Sequence, residues 1–118
     1  MPETYSDARF LSDVILDPKT IAVVGATERF PSVGYTIMTN LLENQAKRQI
    51  FPINLKRGFV FGLKTYATIQ DVPEPIDLAI IATPAPTVPS VVRACAKAGV
   101  KGVIIISAGF KEAVSYTH

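Results

Sequence analysis

Cysteine and histidine are almost absent from this chain of 118 residues, which holds one of each. The single cysteine, Cys95, excludes an internal disulfide. Because Cys95 falls in a helical apolar pattern, we expect it to be a buried packing residue. The single histidine, His118, is the last residue, and we assign it no role. The acidic residues are dispersed, so the sequence predicts neither a metal cluster nor a catalytic nucleophile with its base.

Long apolar runs and clusters of like charge are also missing. The apolar blocks are far shorter than the roughly 18–20 residues of a membrane span. The net charge is +2, from 12 basic and 10 acidic residues, and no basic patch of the kind that binds nucleic acid is visible. The polar N-terminus lacks the basic segment of a signal peptide. We therefore expect a cytoplasmic protein that binds neither membrane nor nucleic acid, while a small anionic ligand remains compatible with its charge.

Apolar residues are what the chain has in abundance, at 48%, and that excludes a disordered polar segment. Its length suits one domain. Short apolar runs predict buried parallel strands at residues 20–25, 49–53, 77–83 and 102–107, and residues 59–66 predict a brief strand or loop. Amphipathic segments at residues 33–44 and 84–99 predict helices between them. This alternation predicts an α/β fold of the Rossmann-like type, with a doubly wound, mainly parallel sheet and helices on both faces.

The two ends of the chain fall outside this alternation. We predict an N-terminal helix within residues 1–17, ended by Pro18, because one helix face collects Phe10, Leu11, Val14 and Ile15. Residues 18–112 form the predicted Rossmann-like domain. Residues 113–118 are a tail of unclear origin, too short for a further helix and a fifth strand. We therefore expect a sheet truncated at its C-terminus, whose open edge and apolar surface predict self-association.

Ligands of open parallel sheets bind beyond the carboxyl ends of the strands, which selects residues 25–34, 54–57, 83–86 and 107–109. The first stretch is the most informative. Gly25 and Ala26 form a tight turn whose small side chains let a phosphate approach the backbone, and Thr27 offers a hydroxyl. Gly34 lies at the start of the next helix, where it permits close packing and where free N–H groups attract phosphate.

A glycine fingerprint for dinucleotides is missing from this stretch. The pattern G-x-G-x-x-G requires glycine at two positions that hold Thr27 and Phe30. The acidic residue that binds a ribose diol after the second strand is replaced by Asn54, Lys56 and Arg57. Cations there suit a phosphorylated ribose, which occurs in NADP and in coenzyme A. Each of these residues also has an ordinary interpretation as a turn residue, but their common place at one sheet edge favours a binding site.

Several stretches of the chain resemble, in order, the coenzyme A-binding domain of ADP-forming (NDP-forming) acyl-CoA synthetases. These are the acetate–CoA ligase relatives of the succinyl-CoA synthetase alpha subunit. The matching stretches are DPKTIAVVGAT (17–27), SVG (32–34), FPINLK (51–56), PIDLAI (75–80) and GVIIISAGFKE (102–112). The resemblance implies that residues 18–112 bind coenzyme A. It also implies a parent reaction that interconverts acyl-CoA, ADP and phosphate with acid, coenzyme A and ATP, through phosphohistidine and ATP-grasp parts that this chain lacks.

The resemblance also assigns roles to residues. The phosphates would be cradled by two turns, made of Gly25, Ala26 and Thr27 and of Ser32, Val33 and Gly34. The phosphate at the nucleotide end would pair with the lysine turn, which holds Asn54 and Lys56. The path of the adenine or pantetheine would be bordered by Thr83 and Pro84, and the thiol would be flanked by Ser107, Ala108 and Gly109. Leu55 departs from the proline that the family carries in the lysine turn. The implied partners are coenzyme A or acyl-CoA and the remaining domains or beta subunit of a synthetase.

Other functions stay open at this point. The same module is found fused to acetyltransferase domains, so the chain is also compatible with the coenzyme A-binding regulatory domain of a protein acetyltransferase. An NAD(P)-binding domain of an oxidoreductase or redox sensor is a second alternative, which predicts the ribose acid or the glycine fingerprint that the chain lacks. A nucleotide-sensing regulatory domain is a third, and it predicts tighter binding of AMP or ADP than of coenzyme A.

Overall fold

The computed structural model describes residues 17–43, 48–56, 58–106 and 114–117, and the last of these ranges by its backbone alone. The N-terminal helix predicted before Pro18 lies outside the described residues. The described strands are β1 (Thr20–Val24), β2 (Gln49–Ile53), β3 (Phe59–Val60), β4 (Leu63–Lys64), β5 (Leu78–Ile81), β6 (Gly102–Ile105) and β7 (Val114–Thr117). The described α-helices are α1 (Val33–Leu42) and α2 (Val88–Lys97), with 3-10 turns at Ile69–Asp71 and Ala85–Thr87.

The main sheet has the strand order β2-β1-β5-β6-β7, and β3 and β4 form a separate hairpin. Strands β2, β1, β5 and β6 are parallel to one another, whereas β7 is antiparallel to β6. The predicted α/β class with a mainly parallel sheet is therefore confirmed. Strand order reverses at β1, since β2 and β5 lie on either side of it. In sheets of this type the ligand site lies beyond the carboxyl end of the strands at such a switch point.

The strands bury both of their faces, because successive side chains point to opposite sides of the sheet. One face packs against α2 in a cluster that includes Ala22, Val24, Ala79, Ile81 and Cys95. The other packs against α1 in a cluster that includes Ile21, Val23, Ile37, Met38 and Ile80. Helices on both faces are thus confirmed. Cys95 is buried as predicted, and burial raises the pKa of its thiol to about 11, which keeps it protonated and unreactive at neutral pH.

Strand β7 is the element that the sequence analysis did not predict. The remaining length is too short for a helix followed by a parallel strand, so the sequence predicts only a tail at residues 113–118. The structure instead pairs β7 with β6, with Thr117 opposite Gly102 and Val114 opposite Ile105. An antiparallel strand needs only a short return connection, whereas a parallel one needs a crossover of a dozen or more residues. Self-association stays a prediction, but an open β6 edge no longer supports it.

The remaining boundaries shift by a few residues. Helix α1 ends at Leu42, slightly before the predicted end. The proline-rich start of the second predicted helix is a 3-10 turn, and α2 begins at Val88. The segment predicted as a brief strand or loop is the hairpin β3–β4. Phe61 and Gly62 form its tip with positive φ angles of 51° and 79°.

Asp77 joins three strands at the amino edge of the sheet. One carboxylate oxygen accepts the backbone N–H of Lys19 at 2.9 Å, and the other lies 3.4 Å from the ammonium of Lys101. The Asp77 backbone N–H donates to the hydroxyl of Thr20 at 2.8 Å, and that hydroxyl donates to the carbonyl of Pro75. The side chain is only 18% exposed. Asp77 therefore fixes the entry into β1 against the starts of β5 and β6.

We expect Asp77→Ala to lower the free energy of unfolding by about 2 kcal/mol, because hydrogen bonds to a charged group contribute about 1.5–3 kcal/mol. Urea denaturation followed by circular dichroism measures the change. Glu74→Ala is the matched control, because it removes the same charge from an exposed residue three positions away. Equal stability of the two variants would show that the Asp77 contacts contribute nothing measurable.

Candidate functional site

Gly25, directly after β1, is the residue around which three strand ends meet. Its backbone N–H donates to the carbonyl of Ile53 at the end of β2, at 3.1 Å. A Cβ on Gly25 would lie 3.1 Å from the backbone carbonyl of Ala82 and 3.2 Å from the methyl group of Thr83, both just after β5. Its φ of 92° is in the region that favours glycine. This position therefore requires glycine for its backbone conformation and for the space around it.

Gly34 lets the first turn of α1 pack directly against the turn that follows β1 at Gly25. A Cβ at Gly34 would lie 2.2 Å from the carbonyl oxygen of Gly25 and 3.1 Å from the methyl group of Thr27. The close helix packing that the sequence predicted for Gly34 is thus present. The helix N-terminus and the turn after β1 together form a cradle of bare backbone, which we call the glycine cradle (residues 25–27 and 32–34).

Ser32 caps α1 and is hydrogen-bonded on both sides. Its hydroxyl oxygen accepts the N–H of Tyr35 at 3.1 Å, and the hydroxyl donates to the carbonyl of Arg29 at 2.6 Å. Its contribution is therefore to hold the loop rather than to donate a hydroxyl to a ligand. The amides of Val33 and Gly34 lie in the first turn, where N–H groups lack intrahelical acceptors. No acidic residue occupies that turn, so the positive end of the helix dipole can attract an anion.

Thr27 keeps a donor for a ligand. Its hydroxyl oxygen accepts the backbone N–H of Arg29 at 3.0 Å. A hydroxyl accepts and donates at the same time, so this contact leaves its hydrogen for a second bond. The arrangement suits the role that the sequence suggested, a hydrogen bond to a phosphate oxygen.

Asn54 connects the loop after β2 to the glycine cradle. Its side-chain amide donates to the carbonyl of Ala26 at 2.7 Å, and its side-chain oxygen accepts the backbone N–H of Lys56 at 2.8 Å. Its own backbone N–H donates to the carbonyl of Tyr66 at 3.0 Å. Lys56 is exposed. The asparagine thus fixes the lysine turn at the edge of the cradle, while Arg57, which the sequence also singled out, lies outside the described residues.

Of the last two predicted stretches, residues 83–86 lie within the described part of the chain and residues 107–109 do not. Thr83 and Pro84 both contact Thr87, whose hydroxyl lies 2.7 Å from the Thr83 hydroxyl and 2.6 Å from the Pro84 carbonyl. Thr83 also borders Gly25. The backbone N–H of Ile106 donates to the carbonyl of Ile81 at 2.8 Å, which brings the chain after β6 beside the end of β5. Ser107, Ala108 and Gly109 follow it but lie outside the described residues.

Three contacts around the cradle were not predicted. The carboxylate of Glu28 accepts the backbone N–H of Phe61 at the hairpin tip. Tyr35 packs edge-to-face against Phe30 at 5.1 Å between ring centroids, and it lies 5.7 Å from Phe61. These contacts hold the hairpin β3–β4 against the cradle loop. The sequence offered no signal for them except Gly62, which is typical of a turn.

The described part of the chain presents backbone amides, hydroxyl groups and an exposed lysine at the carboxyl edge of its sheet. It has no group of His, Cys, Asp and Glu side chains that could hold a metal ion. None of its helices combines the length and the apolar character that crossing a bilayer requires. A helix N-terminus, a glycine turn and a lysine thus lie together at one edge of an α/β sheet, an arrangement whose charge and backbone N–H groups suit an anionic ligand.

A comparison with protein families identifies the domain. Residues 19–116 match the family model described as a CoA binding domain. The chain belongs to this coenzyme A-binding family. The resemblance inferred from the sequence is therefore confirmed, and the glycine cradle lies within the matched region.

Curated relatives carry this domain at a similar level of identity. The chain is 46% identical over 99 residues to the ADP-forming acetate–CoA ligase of Methanocaldococcus jannaschii, covering 84% of this chain and 14% of that protein. It is 48% identical over 98 residues to the ADP-forming 4-hydroxybutyrate–CoA ligase of Nitrosopumilus maritimus, covering 83% and 14%. The chain thus spans about a seventh of the length of these relatives.

A solved structure shows the same architecture. The dinucleotide-forming acetyl-coenzyme A synthetase 1 of Candidatus Korarchaeum cryptofilum superposes with a TM-score of 0.78 at 40% identity, covering 86% of this chain and 22% of that chain. The structure of PH0766 from Pyrococcus horikoshii gives a TM-score of 0.75 at 43% identity, covering 80% and 22%. The Rossmann-like fold predicted from the sequence is confirmed by these neighbours.

Proposed function

We propose that this chain is the coenzyme A-binding domain of an ADP-forming acyl-CoA synthetase, and that it binds coenzyme A without catalysing the reaction by itself. The single observation that carries the proposal is the glycine cradle, where a Cβ on Gly34 would lie 2.2 Å from the Gly25 carbonyl oxygen. Bare backbone, a helix N-terminus and the Thr27 hydroxyl lie together there, and these are groups that bind a pyrophosphate. Coenzyme A is a nucleotide-type ligand with such a pyrophosphate.

The remaining site residues are proposed to follow the length of the ligand. Lys56, held by Asn54, pairs with the 3′-phosphate of the nucleotide end. Thr83 and Pro84 border the path of the adenine or the pantetheine. Ser107, Ala108 and Gly109 flank the thiol. This assignment of Lys56 agrees with the absence of an acidic residue after β2. A lysine attracts a phosphorylated ribose, whereas an acidic side chain would repel its phosphate.

The proposed parent reaction converts acyl-CoA, ADP and phosphate into a free acid, coenzyme A and ATP. Its other steps belong to other domains or to a beta subunit, with which we expect this domain to assemble. The curated relatives described above are ligases, which favours a synthetase over a protein acetyltransferase as the parent. Membership of the coenzyme A-binding family likewise disfavours an NAD(P)-binding oxidoreductase domain. We propose a cytoplasmic location, as expected for a nucleotide-type substrate.

Lys56→Ala tests the placement of the nucleotide end. We expect about a tenfold loss of affinity for coenzyme A, because a charge-assisted contact contributes about 1.5 kcal/mol or more. Dephospho-coenzyme A lacks the phosphate that Lys56 contacts, so its affinity should change little. Isothermal titration of both proteins with both ligands completes a double-mutant cycle, in which the two losses are expected not to add.

The control for this cycle is Lys97→Ala, which removes the same charge from the last turn of α2. It is expected to change the affinity for both ligands equally and little. A Lys56→Ala variant that loses the same affinity for coenzyme A and for dephospho-coenzyme A would contradict the contact with the 3′-phosphate.

A further inference from the structure

The two halves of the glycine cradle are joined by residues 28–31, all of which are exposed. Two hydrogen bonds shape this connection from within. Arg29 donates its backbone N–H to the Thr27 hydroxyl at 3.0 Å, and its carbonyl accepts the Ser32 hydroxyl at 2.6 Å. The largest apolar side chain of the connection, Phe30, is 73% exposed. Burial therefore contributes little to its conformation, which depends on polar contacts and on neighbouring elements.

The hairpin β3–β4 is the neighbouring element that this connection contacts, and the hairpin is anchored independently of it. Val60 is fully buried in the apolar cluster on the α1 side of the sheet. The chain after β4 runs beside the end of β2, where the Tyr66 backbone N–H donates to the carbonyl of Pro52 at 3.0 Å. At the hairpin tip, the backbone N–H of Phe61 donates to the carboxylate of Glu28. Glu28 thus joins the exposed connection to an anchored part of the fold.

Aromatic rings make a second connection at the same place. Tyr35, in the first turn of α1, packs edge-to-face against Phe30 and lies 5.7 Å from Phe61 between ring centroids. Ring centroids 4.5–7 Å apart are typical of favourable aromatic pairs. The hairpin tip therefore contacts both the loop that joins the two halves of the cradle and the start of the helix whose amides face the proposed ligand.

The charge of Glu28 is unfavourable for the ligand that we propose. Glu28 directly follows Thr27, whose hydroxyl is proposed to bind a pyrophosphate, and like charges repel. A carboxylate at this position is expected to weaken phosphate binding unless it contributes something else. The hydrogen bond from the Phe61 backbone N–H is such a contribution, because it needs an acceptor at this position and not a charge.

We propose that Glu28 is a positioning residue for phosphate binding. By accepting the Phe61 N–H, it holds residues 27–32 against the hairpin in the conformation that presents the Thr27 hydroxyl and the first amides of α1 to one ligand. This inference rests on the proposed function, since the phosphates are those of coenzyme A. It assigns the hairpin a part in binding without requiring that the hairpin touch the ligand.

Two neutral variants separate the hydrogen bond from the charge. Glu28→Ala and Glu28→Gln both remove the charge, and only the glutamine keeps a side-chain oxygen that accepts the Phe61 N–H. We expect Glu28→Ala to bind coenzyme A about fivefold more weakly than Glu28→Gln, because a hydrogen bond of ordinary strength corresponds to a change of about this size. Glu28→Gln should bind at least as tightly as the wild type, because the repulsion is removed. Titration calorimetry measures these affinities.

A second ligand and a distant variant serve as controls. Dephospho-coenzyme A keeps the pyrophosphate, so the ratio between Glu28→Ala and Glu28→Gln should be the same for both ligands. Glu43→Gln removes a charge from the C-terminal end of α1 and should leave the affinity near that of the wild type. Equal affinities of Glu28→Ala and Glu28→Gln would overturn the proposal. A difference seen with coenzyme A but not with dephospho-coenzyme A would overturn it too, because the effect would then lie at the 3′-phosphate.

Hydrogen exchange of the wild type gives a readout that does not depend on the folding of a variant. Coupling of binding free energies is reciprocal, so coenzyme A must stabilise the Glu28–Phe61 contact by the factor by which that contact strengthens binding. We expect bound coenzyme A to slow the exchange of the Phe61 amide by about fivefold. Amides in the last turn of α2, on the opposite face of the sheet, should change little.

The outcomes distinguish this inference from the proposed function. Absence of coenzyme A binding by the wild type would contradict the proposed function. Binding that leaves the exchange of the Phe61 amide unchanged, or that slows α2 equally, would contradict the positioning role of Glu28 alone.

Discussion

Gly34→Ala is expected to abolish most of the affinity for coenzyme A while leaving the fold recognisable. The added methyl group would lie 2.2 Å from the Gly25 carbonyl oxygen, which is a backbone atom at the end of a buried strand. The helix must therefore move away from the turn, and the cradle opens. Overpacking of this kind costs about 1–3 kcal/mol of stability. We expect a decrease of about 2 kcal/mol in unfolding free energy and at least a tenfold loss of affinity, because the phosphate contacts depend on this geometry.

Two other glycines serve as controls. Gly58→Ala places its Cβ where no atom lies within 4 Å, and Gly62→Ala has equal space but a φ of 79°. The first control measures the general effect of an added methyl group, and the second measures backbone strain without crowding. Titration calorimetry and urea denaturation of the three variants then isolate the effect of the cradle. Wild-type affinity in Gly34→Ala would show that the phosphates do not bind at this turn.

Asn54→Asp is expected to have the second largest effect. The amide donates to the Ala26 carbonyl at 2.7 Å, and a carboxylate there would face a carbonyl oxygen with no hydrogen between them. A buried acceptor left without its donor costs about 1–3 kcal/mol, and Ala26 is fully buried. The new negative charge would also lie beside the proposed phosphate site, where it repels the ligand. We expect destabilisation of about 2 kcal/mol and at least a tenfold loss of affinity for coenzyme A.

The strand before Asn54, β2, provides the control for Asn54→Asp. Gln49 begins β2 at the amino edge, is exposed, and becomes acidic by an equally small change in Gln49→Glu. The affinity of this variant should stay near that of the wild type, because its charge lies at the opposite edge of the sheet. If both variants bind coenzyme A equally well, the bridge between the two loops has no part in binding.

The sequence predicted the fold because its strands are short and apolar, and because glycine and proline residues mark where strands and helices end. Gly25 and Pro18 bound the first strand, and Pro84 and Gly99 bound the second helix. Unbroken apolar runs are typical of parallel strands that are buried on both faces. Strand β7 was missed because its residues, which include Ser115 and Thr117, lack such a run and belong to an antiparallel edge that needs no crossover.

The sequence predicted those features of the candidate site that depend on backbone conformation. It did not predict the hydrogen bonds that side chains make between loops. A glycine at a strand end and another at a helix start predict close packing of backbone, and the structure brings Gly25 and Gly34 into contact. The bridge made by Asn54 and the contact between Glu28 and Phe61 join residues about thirty positions apart. Such contacts follow from how the loops fold over the sheet edge, and no local sequence pattern specifies them.

The titration of this chain with coenzyme A by calorimetry tests the central claim most directly, with dephospho-coenzyme A, NADH and NADPH in parallel. We predict saturable binding of coenzyme A, weaker binding without the 3′-phosphate, and no comparable binding of NADH. Tighter binding of NADPH than of coenzyme A would contradict the account and favour a dinucleotide domain. Absence of any coenzyme A binding by the folded chain would contradict the claim that the glycine cradle and the lysine turn are sufficient to hold the ligand.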